Sequence, residues 1–237
     1  FNDVNNPDED QTSRINRLAE KGHPAVQINL SNLYELGREM FNWEMGIAAA
    51  GAAMGIHPFN QPDVQLAKDL AKKAMQHPGK KLKSSSGREY DNDNEGEWAA
   101  AVSSWLSQIQ SGDYIGVQAY LPDEKDTADR LARMQQVILD KTGCAVTLGI
   151  GPRFLHSTGQ LHKGGPNSGI FLQLVDEPHI DADVPESGYT FGQLIQAQAW
   201  GDFHALKERK RRILRFNLKG QRINGLEKIT SLMQGGV

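Results

Sequence analysis

From Trp98 onward the chain alternates short apolar runs with helical ones, and this alternation limits the folds open to it. Trp98, Val102, Trp105 and Ile109 recur at steps of four, three and four, which marks one face of a helix. Tyr114 to Leu121 reads as a strand, Thr127 to Lys141 as a helix turning Leu131, Met134 and Ile138 inward, and Cys144 to Ile150 as a second strand. A glycine-rich stretch follows. After it come a strand at Gly169 to Val175, a helix from about Thr190, a strand at Arg212 to Leu218 and a last helix at Asn224 to Met233. Parallel strands need crossover connections, and helices of this length supply them. The pattern therefore predicts an α/β fold with a three-layer, mainly parallel sheet flanked by helices.

The first half is less complete. Phe1 to Thr12 is mostly Asp, Asn, Glu and Gln and is expected to form a disordered lead-in. Arg14 to Lys21 reads as a short helix, and Ala25 to Leu30 alternates as a strand does. Ser31 or Asn32 then offers an N-cap answered by Glu35, for a helix running to about Met54. The run Ala48 to Ala53 has almost no side-chain bulk, which permits a close neighbour. Pro58 and Pro62 bracket a turn, and Val64, Leu66, Ala67, Leu70, Ala71 and Met75 describe a further helix buried on one side. One clear strand is too few for a sheet, so this half is expected to be an incomplete unit whose missing strands lie upstream. His77 to Gly96 turns to Lys, Ser, Asp, Asn, Gly and Glu. The expected division is therefore a lead-in at 1–12, a first unit at 13–78, a linker or mobile loop at 79–96 and an α/β domain at 97–237. Leu33 to Gly37 and Gly188 to Gly192 share an order of residues before a long helix, which is either duplication or the common grammar of α/β folds.

Composition removes several classes. With 38% hydrophobic and 23% charged residues the chain is an ordinary folded one. Its longest apolar stretch, Ile47 to Ile56, is about half of what a bilayer needs. No membrane span is expected, and with no basic-then-apolar leader the reading is a soluble, cytoplasmic protein. The 26 basic and 29 acidic residues nearly balance, which points to no nucleic-acid partner. Cys144 is the sole cysteine and is expected to be an inert small hydrophobe opening a buried strand. The chain opens on Phe1 rather than Met, as a piece of a longer protein would.

Two segments carry chemistry. In the first, a proline-shaped turn presents Asn60 and Gln61 ahead of a helix with Lys68 on its second turn. The spacing lets Gln61 and Lys68 reach one cleft, and it equally lets Lys68 sit with Lys72 and Lys73 on a solvated face. In the second, Gly149 to Pro166 lies between two strands, where open α/β sheets place ligand loops. Its glycines allow close backbone approach, while His156, Ser157, Thr158, Gln160 and Lys163 can bind phosphate or sugar oxygens.

The first segment resembles the C-terminal signature of glucose-6-phosphate isomerases. That signature runs aromatic, Asp or Asn, Gln, any residue, small, Val or Ile, acid or amide, two residues and Lys, and here it is filled from Phe59-Asn60-Gln61 through Val64-Gln65 to Lys68. Asp63 departs from it, since the family usually has Gly or Ala there. The stretch from His156 resembles the His-Ser-x-x-Gln segment of the family's second sugar-isomerase (SIS) domain, with Gly164 where some members carry a catalytic Glu. A complete signature followed by a further SIS-like unit is most similar to the C-terminal end of transaldolase/glucose-6-phosphate isomerase fusions. The resemblance implies an SIS-type sheet, interconversion of glucose 6-phosphate and fructose 6-phosphate through an enediol, and no cofactor or metal. It also implies ring opening by Lys68 and substrate hydrogen bonds from Gln61. A homodimer, or association with upstream domains, is expected.

Isomerisation also requires a carboxylate base, and none is identifiable: Glu44 has apolar neighbours that suit a structural hydrogen bond, and Gly164 has no side chain. The chain is therefore expected to have little activity by itself, and a non-catalytic SIS-type module that binds a sugar phosphate or mediates assembly stands beside the enzyme reading. His156, His162, His179 and Asp181 lack a common metal-ligand spacing. The basic run Lys207 to Arg215 reads as a helix end and an edge-strand surface.

Overall fold

The computed structural model describes residues 2–3, 8–76, 89–90 and 95–235, and it divides into two compact units, Phe1–Asn60 and Gln61–Val237. In the first unit β1 (Asn2–Asp3), α1 (Glu9–Glu20), β2 (Asn29–Leu30) and α2 (Leu33–Met54) follow one another, and β1 pairs with β2 in parallel. The expected lead-in is helical from Glu9, because Asp8 accepts a hydrogen bond from the Gln11 N–H (2.9 Å) and acids occupy the first turn. The remainder of that expectation falls partly outside the described residues. The strand expected over Ala25 to Leu30 contracts to two residues, since it pairs only with β1. α2 begins as read: Asn32 caps the Tyr34 and Glu35 amides, and Glu35 accepts from the Ser31 N–H. Met40, Phe41, Trp43 and Ile47 along α2 are all exposed.

The second unit holds α3 (Pro62–Gln76), β3 (Glu89–Tyr90), α4 (Glu95–Leu106), β4 (Tyr114–Tyr120), α5 (Lys125–Thr142), β5 (Ala145–Ile150), a 3₁₀ turn (Arg153–His156), α6 (Gly159–Gly164), β6 (Gly169–Val175), α7 (Phe191–Glu208), β7 (Arg212–Asn217) and α8 (Arg222–Gly235). Its parallel sheet has the order β3-β7-β6-β4-β5. The expected three-layer α/β architecture is present. Most of the expected linker lies outside the described residues, and Glu89–Tyr90 within it joins the sheet edge.

The two sheet faces differ in chemistry. Ile115, Val117 and Ala119 of β4, with Ile170, Leu172 and Leu174 of β6 and Leu214 and Phe216 of β7, pack on Trp98, Trp105, Leu131, Met134, Ile138, Leu226 and Ile229 of α4, α5 and α8. The tryptophan stripe is thus core. The opposite face lies under α7 and carries a polar row in register: Gln118 of β4, Gln173 of β6 and Arg215 of β7. Each is fully or almost fully buried. Gln173 Nε2 donates to Gln118 Oε1 (3.4 Å) and to the Ala199 carbonyl (3.2 Å), Arg215 donates to Gln173 Oε1, and the Arg215 guanidinium lies over the Phe203 ring. Amide side chains carry both donors and acceptors, so such a row satisfies itself away from water.

Three expectations change here. α3, expected with the first unit, packs on α7: Ala67 and Ala71 face Gly201, where a Cβ would lie 2.5 Å from the Ala67 carbonyl oxygen and 2.8 Å from the Ala71 nitrogen. Cys144 is buried but precedes β5, which is a half-exposed edge strand. The basic run is surface only at the end of α7, where Arg209 and Lys210 are exposed as expected; β7 lies between β3 and β6 and is not an edge strand, and Arg211, Arg212 and Arg215 turn inward. Arg211 donates to the carbonyls of Lys163 and Gly165, and Arg212 makes a two-pronged pair with Asp113 (2.6 and 2.8 Å) that holds the Asp113 carboxyl below its ordinary value. Leu33–Gly37 and Gly188–Gly192 are also out of step: Thr190 is an N-cap, whereas its counterpart Glu35 sits three residues past the cap Asn32.

The α3–α7 crossing generates a prediction. Gly201→Leu forces a side chain into the facing backbone and is expected to destabilise the second unit by about 1–3 kcal/mol or more. Urea unfolding followed by tryptophan fluorescence measures it, and an unchanged midpoint would show that the helices are free to separate.

Candidate functional site

One cavity in the second unit has a volume of about 480 Å³. α3 supplies Val64, Ala67, Lys68, Ala71, Lys72 and Met75; the 3₁₀ turn supplies Leu155 and His156; α6 supplies Lys163; α7 and its approach supply Tyr189, Leu194 and Gln198. The walls are apolar because α3 faces α7 with small and aliphatic residues at helical spacing. Lys68 and Lys72, one turn apart on α3, are exposed at its mouth.

The floor is built differently. Lys163 and Asp202 are 1% and 0% exposed and form an ion pair, and Lys163 Nζ also donates to the Gly159 carbonyl (3.2 Å). Burial raises the Asp202 pKa, while the charges of Lys163 and Arg215 work against that rise. Tyr120 lies buried in the same region, and its hydroxyl has no hydrogen-bond partner among the described residues. Burial and the nearby Asp202 charge raise the Tyr120 pKa. Beside them His162 sits among the rings of Phe154, Tyr114 and Phe171, and Gln118 Nε2 lies 3.2 Å from its Nδ1. Burial, aided by the Lys163 charge, brings its pKa down from 6.5 to about 4, so the ring is neutral and can accept that hydrogen bond.

The sequence-predicted residues divide. Lys68, His156 and Lys163 line the cavity. Gln61, Ser157, Thr158 and Gln160 are not among its lining residues. Gln61 is exposed; the Ser157 and Thr158 hydroxyls donate back to the Phe154 carbonyl; Gln160 Oε1 accepts from the Asp63 N–H (3.0 Å), and its Nε2 donates to Asp63 Oδ2 (2.8 Å). The expected glycine-rich ligand loop is instead a 3₁₀ turn and a short helix, and its glycines admit protein rather than ligand. A Cβ on Gly149 would meet Phe154, and one on Gly151 would meet the Tyr120 ring.

Asp202 is the main residue that sequence reasoning missed. The signal was an acid between Ala199 and Phe203 on the inward face of an otherwise apolar helix. Lys72, four residues beyond Lys68 and so on the same side of α3, was legible but assigned to solvent. Among the described residues no group of three or more His, Cys, Asp or Glu is placed to hold a metal ion, and no helix is long and apolar enough to cross a membrane.

No family model and no curated protein matches the chain. Among solved structures, the crystal structure of a hypothetical protein from Thermus thermophilus is similar to it at 16% sequence identity, with a TM-score of 0.47. The match covers 74% of this chain and 43% of that one, so the chain spans less than half of that protein's length.

The floor of the cavity generates two predictions. Asp202→Asn leaves the Lys163 ammonium buried without a counter-charge and is expected to cost about 3–5 kcal/mol, whereas Lys163→Met with Asp202→Leu removes both charges and restores most of it. Chemical denaturation of the two variants decides this, and equal losses would mean the pair is not the source. His162 links stability to pH. The unfolded chain protonates it near pH 6.5 and the folded chain near 4, so its contribution is intact above 6.5 and lost as pH falls to about 4. His162→Gln should flatten the stability profile in that window relative to the unaltered chain, and parallel profiles would remove the assignment.

Proposed function

We propose that the chain is the C-terminal part of a glucose-6-phosphate isomerase, of the kind fused to transaldolase, and that it contributes sugar-phosphate-handling groups to a site completed by other residues. The observation that carries this reading is a convergence. Lys68, which closes the Phe59 to Lys68 pattern, and His156, which opens the His-Ser-x-x-Gln segment, lie far apart in sequence and line one cavity. The SIS-type reading of the sheet agrees with the order of its four longer strands, β5-β4-β6-β7, which is that of a doubly wound fold, with β3 added at the far edge. Cytoplasmic location and association as a homodimer, or with upstream domains, belong to the same proposal.

Lys68 suits ring opening. A cyclic sugar phosphate opens when the anomeric hydroxyl loses a proton and the ring oxygen gains one. An ammonium at the mouth of an apolar cavity stabilises or protonates that oxygen, and it attracts the phosphate dianion as well. Transfer of a proton between the adjacent carbons then requires a carboxylate, and among the described residues none lines the cavity. The chain's own share is therefore binding and ring opening, with the carbon-to-carbon step left to a base outside this set.

A second reading, a non-catalytic SIS-type module that binds a sugar phosphate, is favoured by Gly164. A Cβ there would meet Asp63 Oδ2 and Gln160 Nε2, so an acid at this position would have to displace the Asp63–Gln160 contact that holds α3 on α6.

Calorimetric titration of the chain with fructose 6-phosphate tests the reading. One-site binding is expected, and Lys68→Met should weaken it about tenfold, the equivalent of about 1.4 kcal/mol. A coupled isomerase assay on the same sample should show little turnover. Binding that ignores Lys68→Met would overturn the assignment of the cavity, and rapid turnover would show that the base lies within the chain.

A further inference from the structure

We infer that the cavity between α3 and α7 takes an amphipathic organic anion, with a carboxylate or phosphate head at Lys68 and Lys72 and an apolar chain running inward. The inference names a different occupant for the same cavity from the sugar-phosphate reading and does not depend on it. It starts from the walls. Val64, Ala67, Ala71 and Met75 of α3, Leu155 of the 3₁₀ turn and Leu194 of α7 present carbon to the cavity, and these groups cannot satisfy a hydroxyl. A hexose phosphate would bring several hydroxyls against walls whose polar groups, the lysines aside, are His156, Tyr189 and Gln198. An alkyl chain loses nothing by entering and leaves water behind. The volume of about 480 Å³ falls within the usual range for small-molecule sites.

Charge fixes the orientation. Lys163 at the floor is matched by Asp202 and already donates to Gly159, so an anionic head driven to the floor would meet a neutralised pair and the like charge of Asp202. Lys68 and Lys72 stand at the exposed mouth, and neither has an ion pair or hydrogen bond among the described residues. No carboxylate among the described residues lines the cavity to offset them. A head at the mouth keeps part of its hydration while it meets two ammonium groups.

Titration calorimetry on the 237-residue chain with hexanoate, octanoate and decanoate, each below its micelle concentration, tests the inference. Affinity is expected to rise about tenfold for each two methylenes added, with one site per chain. Decyl phosphate should bind at least as well as decanoate, and decyltrimethylammonium at least tenfold more weakly. Lys68→Ser with Lys72→Ser should weaken decanoate about tenfold or more. Leu194→Gln should reduce the gain per methylene while circular dichroism shows the helices intact. A flat length series on the unaltered chain overturns the inference whatever the variants do, and so does equal binding of the cationic amphiphile. Glucose 6-phosphate titrated in parallel separates the two readings. If it binds and decanoate does not, this inference fails and the isomerase reading stands; the reverse result reverses both.

Discussion

A lysine 1% exposed keeps its charge only if a counter-charge is buried with it, and the pairing of Lys163 with Asp202 sets the position of everything around the cavity. Lys163 sits near the end of a six-residue helix too short to be stable alone, so α6 depends on what its side chains reach. Asp202 brings α6 against α7. Arg211 then binds the carbonyls at the C-terminal end of α6, and Gln160 one turn earlier binds Asp63 on α3, which is also paired with Arg209 at the end of α7. Such contacts add little net stability compared with an apolar core; what they do here is tie α3, α6 and α7 to one another. The cavity is the space that arrangement leaves.

The fold was legible where a local period reports burial directly. β4 and β6 are covered on both faces, so they read as largely apolar runs, each interrupted by one glutamine, and α5 shows its inward face as Leu131, Met134 and Ile138. Both the Asn32 and the Thr190 helix starts were visible, because a cap is a contact between residues two or three apart. Ala25 to Leu30 misled because alternation describes a residue pattern and not a partner: without a long neighbour the strand stops after two residues. Asp8 was hidden in a polar stretch whose composition suggests disorder, although an acid ahead of acids is also how a helix begins.

The site was legible only in part, for a different reason. Lys68 and His156 were found from motif positions, but whether a polar side chain faces ligand or protein depends on elements distant in sequence. Lys163 read as a ligand cation and is matched by an acid on the next long helix. Gln160 read as a substrate amide and is held by Asp63. Arg211, Arg212 and Arg215 of the basic run read as surface charge and instead bond the Lys163 carbonyl, Asp113 and Gln173. Nothing in the spacing of these residues distinguishes the two fates. Partners on elements distant in sequence decide between them: Asp202 of α7 for Lys163, Asp63 of α3 for Gln160 and Asp113 ahead of β4 for Arg212.

The two departures from the isomerase pattern that the chain resembles turn out to be one feature. The pattern has a small residue where this chain has Asp63, and some members have a glutamate where it has Gly164. In the structure a Cβ on residue 164 would strike Asp63 Oδ2, so the acid at 63 occupies space next to the glycine at 164. A side chain at 164 is therefore crowded by the acid at 63, and a smaller residue at 63 would open that space. The Asp63 carboxylate itself is turned away from the cavity: it is buried, bonded to Gln160 and paired with Arg209, and it is not among the lining residues. The carboxylate at this junction therefore fastens α3 to α6 and α7, and the cavity keeps its cationic mouth with no acid facing it.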